Sequence, residues 1–226
     1  MIGRVLSPAY IFFMQNINLV IFDLDGTLID AYAAIISSFN YVMRKLGLKP
    51  RSSGFIRRQV GWGDTSLLRS SVPELDLKPA LRLYRKHHKL SLLSKSHLYP
   101  YAKKLLQQLK IKGCKLAVAS NRPSKFSLIL LRHLRIIDLF DYVLCADKLK
   151  RAKPDPEILD KIIRRFSIKK SQVLYVGDMV IDAQAGRRAG VKTIIVTSGS
   201  SSIAEIKKER PFKVISGIGK LISILG

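Results

Sequence analysis

Residues 19–28 read LVIFDLDGTL, an apolar, β-rich run that leads directly into two carboxylates and a glycine. A fully apolar run of this length is typical of a strand buried on both faces of a parallel sheet. Two similar runs follow, KLAVA at 115–119 and VLYV at 173–176. Amphipathic helical patterns accompany them at 101–111, 125–134, 157–166 and 182–189. This alternation predicts an α/β fold with a doubly wound, Rossmann-like core built on a parallel sheet.

A polar residue stands at the end of each apolar run. Asp23 follows the first run, Ser120 follows the second, and Asp178 comes one glycine after the third. In open α/β sheets, ligands bind beyond the carboxyl ends of the strands. We therefore expect these three side chains to meet at one edge of the sheet and to form the functional site.

The alternation of strands and helices stops between Asp30 and Pro100. This stretch has mostly helical patterns, at 31–46, around 54–70 and at 79–93. An all-helical insertion directly after the first strand predicts a small cap domain that covers the site. We place the cap at 31–98 and the catalytic core at 14–30 and 99–226.

The remaining features of the chain indicate a cytoplasmic protein. Residues 1–13 are predicted to be a short tail or an artefact of start-codon choice, with Met14 as a natural first residue. The apolar stretch at 9–14 is far below the roughly 20 residues that a spanning helix needs, so no membrane association is expected. Cys114 and Cys145 lie in or beside apolar runs without a CxxC spacing, and we interpret them as buried free thiols.

The pair Asp23 and Asp25 predicts chemistry at phosphorus. Two carboxylates two residues apart at a strand end can point to the same side, and Gly26 allows the chain to turn sharply there. One carboxylate of such a pair can attack phosphorus while the other handles the proton of the leaving group. The alternative is a metal-binding or merely solvated pair in a loop.

Further residues complete this interpretation. Asp178 and Asp182, clustered with Asp23, offer the hard oxygen ligands that suit Mg²⁺. The alternative for Asp182 is a helix cap, which is compatible with a role in the site. Lys153 precedes a rigid Pro-x-Pro turn that opens a helix. A lysine fixed in this way can neutralise phosphoryl oxygens and the Asp23 carboxylate.

Taken together, the motifs resemble those of the haloacid-dehalogenase superfamily, in the subgroup with a small helical cap. The resemblance extends over about residues 18–198. Four motifs stand in the family's order: Asp23-x-Asp25-Gly26-Thr27, Ser120-Asn121, Lys153-Pro154 and Gly177-Asp178-x-x-x-Asp182.

The resemblance implies a role for each of these residues. Asp23 would be the nucleophile and a magnesium ligand. Asp25 would be the general acid and then the general base, with its backbone carbonyl on the metal. The metal would also be held by Asp178 and supported by Asp182. The phosphoryl group would be bound by Gly26, Thr27, Ser120, Asn121 and Lys153, so that catalysis depends on positioning and charge neutralisation.

The implied activity is hydrolysis of a small phosphate monoester, phosphoglycolate or a related metabolite, through an aspartyl-phosphate. Asp25 argues against the dehalogenase branch, which lacks the second aspartate. Sugar phosphomutases share the cap and both aspartates and remain an alternative. The run DLDGTLID at 23–30 and the cap segment VGWG at 60–63 favour phosphoglycolate phosphatases and related monophosphatases.

The charge of the chain leaves two other classes of function open. The formal net charge is +24, and the cap carries 13 Lys+Arg against 3 Asp+Glu. We interpret this excess as a chain-wide compositional bias. A basic nucleic-acid-binding protein that acts on polynucleotide ends is the rival, and a catalytically inactive interaction protein is the third class. The expected partner is a small phosphorylated metabolite, bound by a monomer or homodimer.

The sequence leaves the substrate-selecting residues of the cap open. Arg57, Arg58 and Trp62 are candidates to face the cleft, with surface positions as the equal alternative, and core packing is a further alternative for Trp62. The four histidines have no recognisable metal-ligand spacing and are expected to be structural or exposed.

Overall fold

A computed structural model describes residues 16–225 of the chain. The predicted tail, residues 1–13, lies outside the described residues. The core is a six-stranded parallel sheet with the strand order β5-β4-β1-β6-β7-β8. Strand β1 therefore lies in the middle, with β4 on one side and β6 on the other. The predicted α/β class and the doubly wound parallel sheet are confirmed.

The strands are short, as in most parallel sheets of this size. Their bounds are Leu19–Phe22 (β1), Ile29–Asp30 (β2), His97–Leu98 (β3), Lys115–Ser120 (β4), Tyr142–Cys145 (β5), Val173–Gly177 (β6), Lys192–Val196 (β7) and Lys213–Ile215 (β8). The α-helices are Tyr32–Lys45 (α1), Ser53–Gln59 (α2), Asp64–Arg69 (α3), Leu77–Lys95 (α4), Ala102–Ile111 (α5), Ser124–His133 (α6), Glu157–Phe166 (α7), Val180–Ala189 (α8), Ile203–Lys208 (α9) and Ile222–Leu225 (α10).

The apolar strand runs lie in the core as the sequence predicts. All four residues of β1 are buried. Alternate side chains of the strand join different apolar clusters: Val20 and Phe22 belong to one, Leu19 and Ile21 to the other. Successive side chains of a strand point to opposite faces, so β1 packs on both sides. The central strand is thereby fixed, and the residues that follow it emerge at a rigid edge.

The helical cap is connected to the core through a two-stranded antiparallel ribbon that the sequence did not predict. Ile29 pairs with Leu98 and Asp30 pairs with His97. The ribbon brings the chain's exit to the cap next to its return. The helical pattern predicted around 54–70 is two helices, α2 and α3, because Gly61 and Gly63 adopt positive φ between them.

Three strands of the sheet were absent from the prediction. Strand β5 is a short edge strand, and its first two residues are only half-buried. Strand β8, at the other edge, has three residues and only one that is buried. Edge strands lack the fully apolar signature of buried ones. Strand β7, in contrast, contains a buried apolar run, TIIV at 193–196.

Two further predictions concern the cysteines and membrane-spanning helices. Cys114 and Cys145 are both buried and unpaired, as predicted. Among the described residues, no helix combines the length and the apolar character that crossing a bilayer requires.

Candidate active site

Asp23 and Asp25 lie at the edge of the sheet beyond β1. Both contribute to a cavity between the core and the cap. The chain turns there through Gly26, whose φ is +86°. A Cβ atom at this position would come within 2.3 Å of Asp178 Oδ2 and 2.9 Å of the Tyr32 hydroxyl. Glycine is therefore required both by the backbone conformation and by the space available.

The Lys153 side chain is buried and its ammonium is surrounded by oxygen atoms. Nζ donates to Asp23 Oδ1 at 2.7 Å and to Asp182 Oδ1 at 2.8 Å. The Ala119 carbonyl and the Tyr175 hydroxyl lie at 2.9 and 3.1 Å. Burial lowers the pKa of Lys153, but the carboxylates of Asp182 and Asp23 outweigh it and leave the pKa well above its usual value. This lysine is therefore a fixed positive charge beside Asp23.

The environment of Asp23 makes its carboxyl group harder to ionise than an exposed one. Burial raises its pKa to about 7, although the positive charge of Lys153 acts in the opposite direction. The neighbouring Asp182 and Asp25 raise it further. A carboxylate in such a position becomes ionised when another positive charge joins the site.

Asp178 has an oxygen atom that lacks a protein partner. Its Oδ1 accepts a hydrogen bond from the Thr27 hydroxyl at 2.9 Å, whereas its buried Oδ2 has no hydrogen-bond partner among the described residues. Burial, Asp182 and Asp23 raise its pKa well above the usual range. Thr27 thus holds Asp178 in place through its hydroxyl group.

The carboxylates of the site can hold a divalent metal ion. One oxygen from each of Asp23, Asp178 and Asp182 lies within 4.8 Å of the others, and all three residues are buried. The unpartnered Asp178 Oδ2 and the raised pKa values of Asp23 and Asp178 fit a cluster that requires added positive charge. The oxygen-only donor set suits a hard cation.

Asp182 uses both oxygens within the protein. Its Oδ2 accepts from the backbone N–H groups of Asp178 and Met179 at 3.2 and 3.0 Å, and its Oδ1 accepts from Lys153 and Tyr175. It therefore caps the first turn of α8 and also holds Lys153. The helix-capping alternative raised from the sequence is observed.

Ser120 and Asn121 follow β4 and line the cavity. The Asn121 side chain donates to the carbonyls of Gly61 and Lys153 at 2.9 and 3.0 Å, and it accepts from the Lys153 N–H at 3.0 Å. Its amide thus links the cap loop to the segment that carries the lysine. Ser120 Oγ accepts from the backbone N–H of Arg122 at 3.1 Å.

Two further residues of the cavity were not identified from the sequence. The Arg122 guanidinium is buried and makes a bidentate ion pair with Asp25, with Nε 2.9 Å from Oδ2. His88, from cap helix α4, contacts Arg122 Nη1 through Nε2 at 3.0 Å. His88 is buried, as a structural histidine is expected to be, but it also lines the cavity.

Among the described residues that line this cavity, none of the three cap candidates occurs, and the side chains of Arg58 and Trp62 are exposed. Trp62 is 48% exposed, so it is not a core residue, and it lines a separate groove with Arg58. The Arg57 guanidinium lies 3.7 Å from the centroid of the Tyr32 ring. The cap side of the catalytic cavity is formed by other residues, namely Ile35, Val60, Gly61, Gly63, Asp64, Leu67, Tyr84 and His88.

Comparison with known proteins identifies the family of the chain. A family model described as haloacid dehalogenase-like hydrolase matches residues 20–196. A phosphoglycolate phosphatase of Pseudomonas fluorescens is 32% identical over 218 residues, which cover 91% of this chain and 78% of the relative. A phosphoglycolate phosphatase of Nitrosospira multiformis is 34% identical over 195 residues, which cover 83% and 86%.

A solved structure shows the same architecture. The crystal structure of a predicted phosphoglycolate phosphatase from Haemophilus somnus has a TM-score of 0.89 and 26% sequence identity, and the match covers 93% of this chain and 99% of that one. The chain belongs to the haloacid dehalogenase-like hydrolase family, as its motifs indicated. Within that family it is a phosphatase, a hydrolase of phosphoric monoesters.

Proposed function

We propose that the protein is a Mg²⁺-dependent phosphatase that hydrolyses a small phosphate monoester through an aspartyl-phosphate on Asp23. The observation that carries this proposal is the position of Asp23, buried at the edge of the cavity and bound to Lys153 at 2.7 Å. The substrate class follows the names of the relatives, which are phosphoglycolate phosphatases.

In the first step, an Asp23 carboxylate oxygen attacks phosphorus and the bond from phosphorus to the leaving oxygen breaks. Asp25 gives its proton to that oxygen, so that the substrate leaves as an alcohol. Lys153 and the groups that follow β4, at Ser120 and Asn121, neutralise and orient the phosphoryl oxygens. The reaction needs these groups to be positioned rather than reactive themselves.

In the second step, Asp25 takes a proton from a water molecule, whose oxygen attacks phosphorus. The bond from phosphorus to Asp23 breaks, and inorganic phosphate is released. The two carboxylates thereby return to their initial state. This sequence assigns covalent catalysis to Asp23 and proton transfer to Asp25.

The Mg²⁺ ion would be held by Asp23, by Asp178 and by the Asp25 backbone carbonyl, with Asp182 behind them. When bound, it supplies positive charge that favours ionised Asp23 and offsets the charge of the phosphoryl group. The unpartnered Asp178 Oδ2 supports this assignment. Asp182, whose two oxygens already accept hydrogen bonds, supports the metal site from behind.

The size of the cavity favours a small substrate. Its volume is about 50 Å³, well below the roughly 300–1,000 Å³ of typical pockets for drug-sized ligands. With the cap in this position, the enclosed space is small. This favours a metabolite of the size of phosphoglycolate over a polynucleotide end.

The proposal is tested by a screen of purified protein against phosphorylated metabolites, with Mg²⁺ and with chelator. We expect the highest kcat/KM on a small phosphorylated acid such as phosphoglycolate. Turnover confined to hexose phosphates, with a phosphorylated sugar as product, would instead identify a phosphomutase. We also propose that the protein acts in the cytoplasm, because its two thiols are free and buried, as a monomer or homodimer.

A further inference from the structure

The carboxylate of Asp25 is held on both oxygens by one buried guanidinium. Arg122 Nε donates to Oδ2 at 2.9 Å, and Nη2 donates to Oδ1. The side chain of Arg122 is 5% exposed and that of Asp25 is 14% exposed. A bidentate pair of this kind fixes the plane of the carboxylate as well as its position. The orientation of Asp25 toward the cavity therefore depends on Arg122.

Arg122 is held in turn by a residue of the cap. Its Nη1 lies 3.0 Å from His88 Nε2. Because a guanidinium only donates, His88 Nε2 must accept, and the ring proton must lie on Nδ1. The Nδ1–H faces Ser38 Oγ at 3.1 Å, and the Ser38 hydroxyl can donate to the Ala34 carbonyl at 2.9 Å. Each ring nitrogen of a neutral His88 therefore has a hydrogen-bond partner.

The His88 ring is also held in place by stacking. It is stacked on Tyr84 with centroids 4.8 Å apart, and the edge contact with Phe126 has a centroid distance of 5.5 Å. Tyr84 and His88 belong to cap helix α4, whereas Phe126 and Arg122 belong to the core. The contacts of His88 with Arg122 and Phe126 therefore exist only when the cap lies on the core as it does here.

We propose that Arg122 and His88 are positioning residues for Asp25, and that the seating of cap helix α4 on the core orients the Asp25 carboxylate for proton transfer. This inference rests on the proposed function, in which Asp25 acts on the leaving oxygen. It adds that cap closure aligns the proton-transfer group in addition to covering the substrate. Neither residue needs to touch the substrate for this effect.

The first test compares two replacements of His88. His88→Phe keeps a stacked ring but removes the acceptor, whereas His88→Gln places a carbonyl oxygen near the position of Nε2. The measurement is kcat/KM for an alkyl phosphate and for 4-nitrophenyl phosphate, whose leaving group needs little protonation. We expect His88→Phe to lower the alkyl value about 10-fold more than the aryl value, within the range of general acid catalysis. We expect His88→Gln to retain most of the wild-type kcat/KM for the alkyl phosphate.

The second test asks whether Arg122 acts through Asp25. Arg122→Met should lower kcat/KM for the alkyl ester by about 10²-fold, with a smaller loss for Arg122→Lys. In an Asp25→Asn background, Arg122→Met should have no further effect, because residues that act as a unit are not additive. Arg132→Met, at an exposed position of α6, is the control and should behave as wild type. If thermal melting shows that Arg122→Met does not fold, Arg122→Lys replaces it in the double-mutant comparison with Asp25→Asn.

The outcomes separate the two proposals. Additive losses for Arg122 and Asp25, or equal losses on both esters for the His88 variants, would overturn the positioning role. So would a His88→Phe enzyme with wild-type kcat/KM on the alkyl ester. Wild-type activity of Asp25→Asn on both esters would instead refute the assignment of Asp25, and with it the proposed function on which the inference rests.

Discussion

Lys153 Nζ lies 2.7 Å from Asp23 Oδ1, although 130 residues separate the two along the chain. The same nitrogen reaches the Ala119 carbonyl near the end of β4 and the Tyr175 hydroxyl of β6. Because β1 lies between β4 and β6, one ammonium contacts groups from three adjacent strands. The orientation of the proposed nucleophile therefore depends on a residue that belongs to none of these strands.

We expect Asp23→Asn to abolish turnover, by at least about 10⁴-fold, because no other group at this position can form the acyl phosphate. The fold should persist, since the amide keeps the shape of the side chain and Lys153 retains the Asp182 carboxylate at 2.8 Å. Steady-state kinetics, intact-protein mass spectrometry after acid quench and thermal melting measure these effects. Phosphoenzyme formed by this variant would exclude Asp23 as the nucleophile.

Removal of metal should abolish activity, and Mg²⁺ should restore it. Since a ligand that binds only the native state stabilises it, Mg²⁺ should also raise the Tm of the wild type. The Tm of Asp178→Ala should not rise with Mg²⁺, because the variant lacks the unpartnered Oδ2. Asp138→Ala, at an exposed position, is the matched control and should respond as the wild type does. Full activity in excess EDTA would contradict the metal assignment.

Asp25→Ala should accumulate phosphoenzyme from an activated donor, because the attacking water loses its base. The loss in kcat/KM should be about 10²–10⁴-fold for an alkyl phosphate and smaller for an aryl phosphate. Single-turnover experiments with rapid quench measure both steps. Formation and discharge of phosphoenzyme at wild-type rates on both esters would reassign Asp25 to a structural role.

Gly26→Ala and Gly47→Ala form a matched pair, because both glycines have positive φ. A Cβ at Gly47 meets no atom within 4 Å, whereas one at Gly26 would overlap Asp178 Oδ2. We expect Gly47→Ala to lower the free energy of unfolding by about 1–2 kcal/mol with unchanged kcat/KM. Gly26→Ala should lower the free energy of unfolding by more than this and should weaken the rise of Tm with Mg²⁺. Identical behaviour of the two variants would show that the space around Asp178 does not matter.

His88 should make the protein sensitive to acid. Burial and the Arg122 charge lower its pKa to about 2, so it stays neutral in the folded state and takes up a proton on unfolding below about pH 6.5. Its contribution to the free energy of unfolding is therefore present above the unfolded pKa and falls as the pH drops. Between pH 7 and pH 5 the loss amounts to about 2 kcal/mol.

Urea denaturation of metal-free wild type and His88→Gln at pH 7 and pH 5 measures this contribution. The variant should lose about 2 kcal/mol less than the wild type over this interval. Other groups, including Asp23, titrate in the same range but are common to both proteins. Equal pH dependence in the two would mean that His88 is protonated in the folded state.

The central sheet, and the gathering of Asp23, Ser120 and Asp178 beyond the ends of its strands, could be predicted because their signals are local. Asp23 and Asp178 each follow a fully apolar strand, and the spacing within each motif is short. Arg122 has no such local signal, because its role depends on a contact with Asp25, 97 residues away. In a chain with 40 lysines and arginines, one more arginine carries little information. His88 acquires its role only through packing of the cap on the core.

The directions of the cap side chains near the cavity also lack a local signal in the sequence. Trp62 and Gly61 are neighbours in sequence, yet Gly61 lines the cavity and Trp62 lies in an outer groove. The two positive-φ glycines at 61 and 63 decide which way the loop turns. Periodicity predicts faces of helices, but it does not predict the direction of side chains in such a loop. The side-chain orientations at this boundary therefore required the three-dimensional structure.

The ribbon formed by β2 and β3 has a consequence for engineering. Because residues 29–30 and 97–98 are paired side by side, the whole cap leaves and re-enters the core at a single narrow junction. A homologous cap could be grafted between these points without breaking the order of the six-stranded sheet. Such a chimaera should inherit the preferences of the donor for its substrate while it retains the hydrolytic machinery of the recipient. Exchange at this seam offers a route by which one phosphatase core could acquire new specificities during evolution.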